Sequence, residues 1–198
     1  MTSSIRPESS QERLSATYFE SIPWCAARLR SESEPVSHWP VPWDRDGATK
    51  LGDRFFSTTL NTELTIPHFL FFHATQDPST PSNALLPELQ AFLHLESGIG
   101  GYPGYAHGGF VCTALDEITG LVCTLNRSRG ALFRGPAMTG YLNTRFLKPV
   151  RAPGVVLAHA RITKYEGRKA WVRGWLEDDE GAVLAEAEAV FINLKTKL

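Results

Sequence analysis

The clearest alternation of apolar and polar positions lies in the second half of the chain. Phe110, Val111, Ala114, Leu115, Ile118, Leu121, Val122 and Leu125 recur at the three- and four-residue spacing of one helix face. The pattern predicts a long helix from about His107 to about Leu125, then a polar loop over 126–129. Four strand candidates follow at 137–147, 155–165, 169–177 and 182–194. The breaks between them are Lys148-Pro149…Pro153-Gly154, Glu166-Gly167 and Asp179-Glu180-Gly181. The last two carry glycine where a tight hairpin turn needs a positive φ. A shorter apolar run, 89–95, precedes the helix as a further strand. Strand, helix and a strand meander make an α+β pattern, an antiparallel β-sheet wrapped around one long central α-helix.

Upstream the pattern is weaker. Ser10 is placed to cap a helix through Glu12, Leu14, Tyr18 and Phe19 towards Pro23, after a polar stretch over 1–10 that reads as disordered. The segment 32–47 holds Pro35, Pro40 and Pro42 among Trp39 and Trp43, and reads as an extended connector that packs on something. The stretch 61–72 is apolar but contains Pro67, and is ambiguous between strand and short helix. The expected division is an N-terminal extension, 1–84, acting as a lid or wrap, and a compact domain, 85–198.

The helix face opposite the apolar one carries Cys112, Asp116, Thr119, Gly120 and Cys123. These are small residues, and no Lys or Arg stands between His107 and Asn126. Such a helix is expected to be covered twice, by its own sheet and by something else. Asp116 is then a carboxylate withdrawn from water, which costs free energy and marks it as a functional candidate. Ahead of the helix run Gly98-Ile99-Gly100-Gly101-Tyr102-Pro103-Gly104 and His107-Gly108-Gly109. They present bare backbone N–H groups at a helix N-terminus, where the dipole favours negative charge. A carbonyl oxygen becoming an oxyanion suits that arrangement, and so does a phosphate. The bland alternative is glycine serving close packing alone. A P-loop is excluded because no Gly-Lys-Ser/Thr follows, and hairpins after the helix argue against a dinucleotide fold.

Composition narrows the partners. A net charge of −1 over 198 residues gives no electrostatic case for nucleic acid or an anionic membrane. No apolar run is read as long enough to span a bilayer, and the N-terminus lacks the apolar stretch of a secretory signal. Cys25, Cys112 and Cys123 read as reduced thiols, so a cytoplasmic location is expected. The histidines at 38, 68, 73, 94, 107 and 159 lack zinc-ligand spacing, so no metal is expected, and no Gly-x-Ser-x-Gly elbow exists.

Three stretches carry a resemblance. They are Tyr102-Pro103-Gly104-Tyr105-Ala106-His107-Gly108-Gly109, Asp116 nine residues beyond His107, and Met138-Thr139-Gly140-Tyr141-Leu142-Asn143-Thr144-Arg145-Phe146-Leu147-Lys148-Pro149-Val150. Together they resemble the hot-dog-fold acyl-CoA thioesterases, of the phenylacetyl-CoA and thioesterase-superfamily-member branch. Glu166-Gly167-Arg168-Lys169 and Asp178…Gly181…Ala185-Glu186-Ala187 are similar to that group's last hairpin. The resemblance covers about 85–196. It implies a hot-dog fold and a homodimer whose two long helices lie antiparallel, with tetramers left open. It further implies Asp116 as nucleophile or general base, Gly108 N–H as oxyanion donor, Thr139 as an orienting hydroxyl and His107 mainly as a shaper of the loop. Gly109 and Tyr102 become substrate contacts. Arg145, Lys148, Arg168 and Lys169 are candidates for the phosphates of coenzyme A, with solvated strand ends as the alternative.

The substrate so implied is an acyl-CoA or an acyl-carrier-protein, hydrolysed without a separate cofactor; coenzyme A or phosphopantetheine arrives as part of it. At Gly101 several relatives carry Asn or Gln, a departure that bears on the hydrolytic detail. Two other readings stand beside hydrolysis: hydration, dehydration or product release on a biosynthetic thioester, and a non-catalytic acyl-binding dimer.

Overall fold

The structure, a computed structural model, describes residues 10–39 and 54–194. In chain order these form α1 (Ser10–Glu20), α2 (Pro23–Leu29), β1 (Val36–Trp39) and a π-helical turn (Phe55–Thr59). Next come β2 (Phe69–Ala74), β3 (Glu88–Leu95), a 3-10 turn (Ser97–Ile99), β4 (Gly100–Tyr102) and β5 (Tyr105–Ala106). The long helix α3 (Gly108–Ser128) precedes β6 (Ala137–Phe146), β7 (Gly154–Glu166), β8 (Lys169–Glu177) and β9 (Val183–Asn193). Seven strands make one antiparallel sheet in the order β1-β2-β3-β7-β8-β9-β6, and β4 and β5 form a separate small hairpin.

The sheet curls around α3, as the meander predicts, and this is the hot-dog arrangement that the resemblance implies. Val111, Leu115, Ile118 and Val122 are buried against Ala158, Ala160, Val172, Ala187 and Ala189, all alternate positions of the sheet's inner face. Alanines there keep the wall shallow, so a helix fits within its curve. Gly174 of β8 marks a point of close approach: a Cβ there would lie 2.7 Å from Thr119 Cγ2. The β7–β8 and β8–β9 hairpins turn at Gly167 (φ +57°) and Gly181 (φ +75°), where the sequence places them.

Two elements, α3 and β2, differ from the sequence reading. The helix continues to Ser128 instead of ending near Leu125, because polar Asn126 is wholly buried and bonded. Its side chain accepts from Leu86 N–H at 2.7 Å and donates to Leu86 C=O at 2.8 Å and Val122 C=O at 2.9 Å. The ambiguous stretch around Pro67 becomes a strand only from Phe69, past the proline that lacks a donor for a ladder. By length and composition α3 would pass for a membrane span, which the sequence reading did not count; in the fold its apolar face lies on the sheet.

The N-terminal helices lie on the sheet's outer face, away from α3. Phe19 and Cys25 pack with Leu70, Phe72, Phe92 and Leu157, and Trp24 meets Phe92 edge-on at 5.0 Å between ring centres. Strands β1 and β2 extend the same sheet beyond β3. Of the described residues before 85, the Phe55–Thr59 turn and β2 both reach the α3 side, through Phe56 and Phe71 in the main core and Phe55 near Phe110. Trp43 and the tail over 1–9 lie outside the described residues.

Candidate active site

The site begins where the β4–β5 hairpin runs into α3. His107 is the helix N-cap, in extended backbone, and its Nδ1 accepts the Gly109 N–H at 2.9 Å. That bond requires Nδ1 to be unprotonated, so a neutral ring carries its proton on Nε2. The His107 N–H in turn donates to Ile99 C=O at 2.8 Å, tying the cap to the glycine-rich approach. The N–H of Gly109, a residue expected to contact the substrate, is therefore occupied by the cap. Gly108, the first helical residue, is exposed, and among the described residues nothing accepts its N–H. The Phe146 ring lies alongside, 3.6 Å from where a Gly108 Cβ would stand.

Asp116 lies two turns further along α3, half-buried. Thr139 Oγ1 donates to its Oδ1 at 2.9 Å, joining helix and sheet across 23 residues of sequence. A β-bulge aims Thr139 there. Thr139 pairs with Phe191 and Tyr141 with Val190, so Gly140 is the extra residue between them. A Cβ on Gly140 would meet Ile192 Cδ1 at 2.9 Å and Val190 O at 3.3 Å, so glycine suits the bulge. Among the described residues nothing else donates to the Asp116 carboxylate, which leaves lone pairs open to water or a substrate.

The far face of α3 is narrower than the sequence reading made it. Cys112, Asp116 and Gly120 are half-buried, but Thr119 and Cys123 are fully buried. Thr119 folds its hydroxyl back onto Leu115 C=O at 2.7 Å, and burial pushes the Cys123 thiol up to about 12, which makes it inert. Glycine at 101 has a local cause: a Cβ there would stand 2.7 Å from His107 Cα and 2.9 Å from His107 Cδ2. The capping histidine occupies the space that an Asn or Gln side chain would leave through.

The other expected contacts are dispersed. Tyr102 is 74% exposed at the hairpin tip. Arg145 is paired with Glu186 at 2.9 Å, and Arg168 donates twice to Asn193 C=O, at 2.9 and 2.6 Å. Lys148 and Lys169 are exposed. Arg145 and Lys148 stand at one end of β6 and Arg168 and Lys169 at the other, about 26 Å away for eight residues of strand. Within one chain they form no common phosphate site. Two features were missed by sequence reasoning: the Phe146 ring beside Gly108, and the Phe55–Thr59 turn beside α3. Phe146 stands at the end of an alternating strand, so its position was readable; the turn has no periodic signal.

A capped helix with a bare N–H, a carboxylate two turns along it and a threonine brought in by the wrapping sheet make a polar centre on the far face of α3 in a hot-dog α+β domain. Residues 103–185 match the family model of the thioesterase superfamily. The chain is 38% identical to mouse (Mus musculus) acyl-coenzyme A thioesterase THEM4 over 106 residues, covering 53% of this chain and 41% of that protein. It is 28% identical to verlamelin biosynthesis protein B of a Lecanicillium species over 173 residues, covering 74% of each. Among solved structures, zebrafish thioesterase superfamily member 2 superposes with a TM-score of 0.51 at 14% identity, covering 73% of this chain and 87% of that one. That likeness is one of fold. The chain spans less than half the length of the mouse relative it matches.

Proposed function

We propose that this protein hydrolyses an acyl thioester of coenzyme A, or of the phosphopantetheine arm of a carrier protein. The observation that carries the reading is the 2.9 Å bond from Thr139 to Asp116 on the same helix whose first N–H is unoccupied. In this reading the thioester oxygen sits on Gly108 N–H, where the helix end stabilises the charge that develops there. Water attacks the carbonyl carbon as Asp116 removes its proton, or Asp116 attacks directly and water resolves the acyl-enzyme. The C–S bond then breaks, the acid is released and the thiol leaves with a proton. Thr139 fixes one carboxylate oxygen so that the other faces the substrate.

The reading also requires a second copy of the chain. Gly108 and Asp116 are eight residues apart on α3, about 12 Å along its axis, too far for both to touch one carbonyl group. A two-fold pairing with antiparallel α3 helices brings Gly108 of one protomer to Asp116 of the other. The ten-residue edge strand β6 supports it, since Met138, Tyr141 and Phe146 are all more than 40% exposed there. The likeness to a thioesterase over 106 residues supports hydrolysis above the other thioester reactions.

The test is thiol release from a panel of acyl-CoA thioesters. Asp116→Asn keeps the shape and the Thr139 contact but can neither attack nor take a proton. Turnover is expected to fall at least ~10²-fold. Near wild-type turnover in the variant, or no thiol released by the wild type from any acyl-CoA or acyl-carrier thioester, overturns the reading.

A further inference from the structure

The last turn of α1 meets the sheet's outer face through an aromatic stack that takes no part in the hydrolytic chemistry. His68, just before β2, stands beside His94 of β3, whose N–H donates to His68 C=O at 2.9 Å. The two imidazole rings are nearly parallel, their centres 6.0 Å apart. Tyr18 lays its phenol ring over both, 4.2 Å from His68 and 4.9 Å from His94, tilted by 14° and 11°. The next residue, Phe19, is fully buried and stacks on Phe92 at 5.4 Å. One turn earlier, buried Ser15 brings its Oγ to 3.5 Å from His68 Nδ1. The helix thus docks with two titratable rings beneath it.

His94 is built to stay neutral there. Its Nε2 lies 3.2 Å from Glu96 Oε1, so a neutral ring donates to that carboxylate and leaves Nδ1 bare. Nδ1 is sealed from solvent and has no hydrogen-bond partner among the described residues. Protonation would add an N–H at Nδ1 that faces neither an acceptor nor water, a costly state for a charged ring. The face of Tyr18 favours a cation, but a second charge on His68, 6.0 Å away, would repel it. Glu96 and, through space, Glu63 also favour the charged ring, and burial outweighs them, holding His94 below the ordinary imidazole range. The Cys25 thiol of α2 acts on Tyr18, Glu20 at the end of α1 is paired with Arg30 at 2.9 Å, and Val155, next to His94 on β7, brings no charge. A group so depressed takes its proton more readily once the helix is released. Docking is therefore strongest above about pH 6.5 and weakens as pH falls.

We propose that Tyr18, His68 and His94 form a proton-sensitive latch for the N-terminal helix: with both imidazoles neutral α1 stays on the sheet, and mild acid loosens its last turn and uncovers Phe72, Phe92 and Leu157. Those three side chains point away from α3 and pack with Phe19. The latch is local. Opening it breaks no rung of the sheet and leaves α3, Asp116 and Thr139 in place, because α1 contributes no strand and lies on the opposite face. Trp24 of α2 keeps its own edge contact with Phe92, at 5.0 Å, a hold that does not pass through the stack.

Hydrogen–deuterium exchange of the full chain, read by mass spectrometry as protection factors, tests the latch at pH 7.5 and pH 5.0. Amides over 13–20 are expected to lose protection at least ~10-fold at the lower pH, while those over 155–162 in β7 change less than ~2-fold. His94→Gln, which can still donate to Glu96 and takes up no proton, should hold α1 equally well at both pH values. Glu96→Gln removes a carboxylate that favours the charged ring, so it should deepen the loss at pH 5.0 about threefold or more and leave pH 7.5 unchanged. Should His94→Gln undock α1 already at pH 7.5, the Glu96→Gln variant decides. Equal protection over 13–20 at both pH values in the wild type overturns the latch. So does a loss shared equally by 155–162, which marks general acid unfolding. A His94→Gln chain docked at pH 7.5 that loosens in acid as the wild type does, or a Glu96→Gln chain that matches the wild type at pH 5.0, overturns it as well.

Discussion

Asp116 and Thr139 meet in a hydrogen bond although their backbones come from elements with different freedoms. Asp116 is fixed by a helix whose neighbouring turns are buried, while Thr139 is aimed by a bulge that has one residue too many for its partner strand. The hydroxyl donates to Oδ1, so in the proposed reaction it orients the carboxylate rather than reacting. Its removal should appear in kcat more than in KM, because orientation is needed at the transition state and not for holding the substrate. Thr139→Ala is expected to lower kcat about tenfold or more, and Thr139→Ser, which keeps the oxygen, to retain most of the rate. Steady-state kinetics in which the Ala and Ser variants are equally impaired would assign the role to the methyl group. His107 acts at one remove in the proposed reaction: its ring caps Gly109 N–H, the residue after the proposed donor.

At the scale of elements, α3 is pinned at both ends by side-chain bonds to backbone. His107 secures its start, and Asn126 ties its last turn to Leu86 at the entrance to β3. Asn126 is fully buried, and replacing it with Leu leaves a buried N–H and a buried C=O of Leu86 unpaired, at a cost of roughly 2–4 kcal/mol. Urea unfolding should show that loss, and Asn126→Asp should be nearly as damaging, since a carboxylate cannot donate to the two carbonyls it would face. A midpoint shift equal to that of an ordinary surface substitution would show that water replaces the amide. Helix and meander were legible in the sequence because their periodicities are long and their turn glycines sit where a positive φ is required. Asn126 was misread as loop because a satisfied buried amide and a solvated one look alike in a sequence. Thr119 and Cys123, read on the wheel as part of the far face, are fully buried in the structure. The packing of α1 and α2 on the sheet's outer face was not legible, because it depends on Phe72, Phe92 and Leu157 pointing away from α3, and that follows only from strand register.

At the scale of the molecule the proposed two-fold pairing makes a count. If each active centre takes Gly108 from one protomer and Asp116 from the other, a chain carrying Asp116→Asn and a chain carrying Gly108→Pro repair each other. Proline is tolerated at a first helical position, and His107 already has the extended backbone (φ −64°, ψ 135°) that a residue before proline adopts. Each homodimer should be inactive, and equal co-refolding should restore about a quarter of the wild-type centres. Mixed dimers verified by mass and without activity would place donor and carboxylate within one subunit. The same antiparallel pairing would bring Arg168 and Lys169 of one chain towards Arg145 and Lys148 of the other, gathering cations that a single chain keeps about 26 Å apart. Among the described strands the sheet has two unequal borders, four residues of β1 and ten of β6. Growth by adding sheet to sheet needs two adhesive borders on every unit, as a chain of links needs two hooks on each. A unit with one long border and one stub has a valence of one. Joined through β6 as proposed, it would be saturated at two copies, so the pairing that completes the proposed reaction centre would also cap polymerisation and keep an apolar strand border from seeding fibrils.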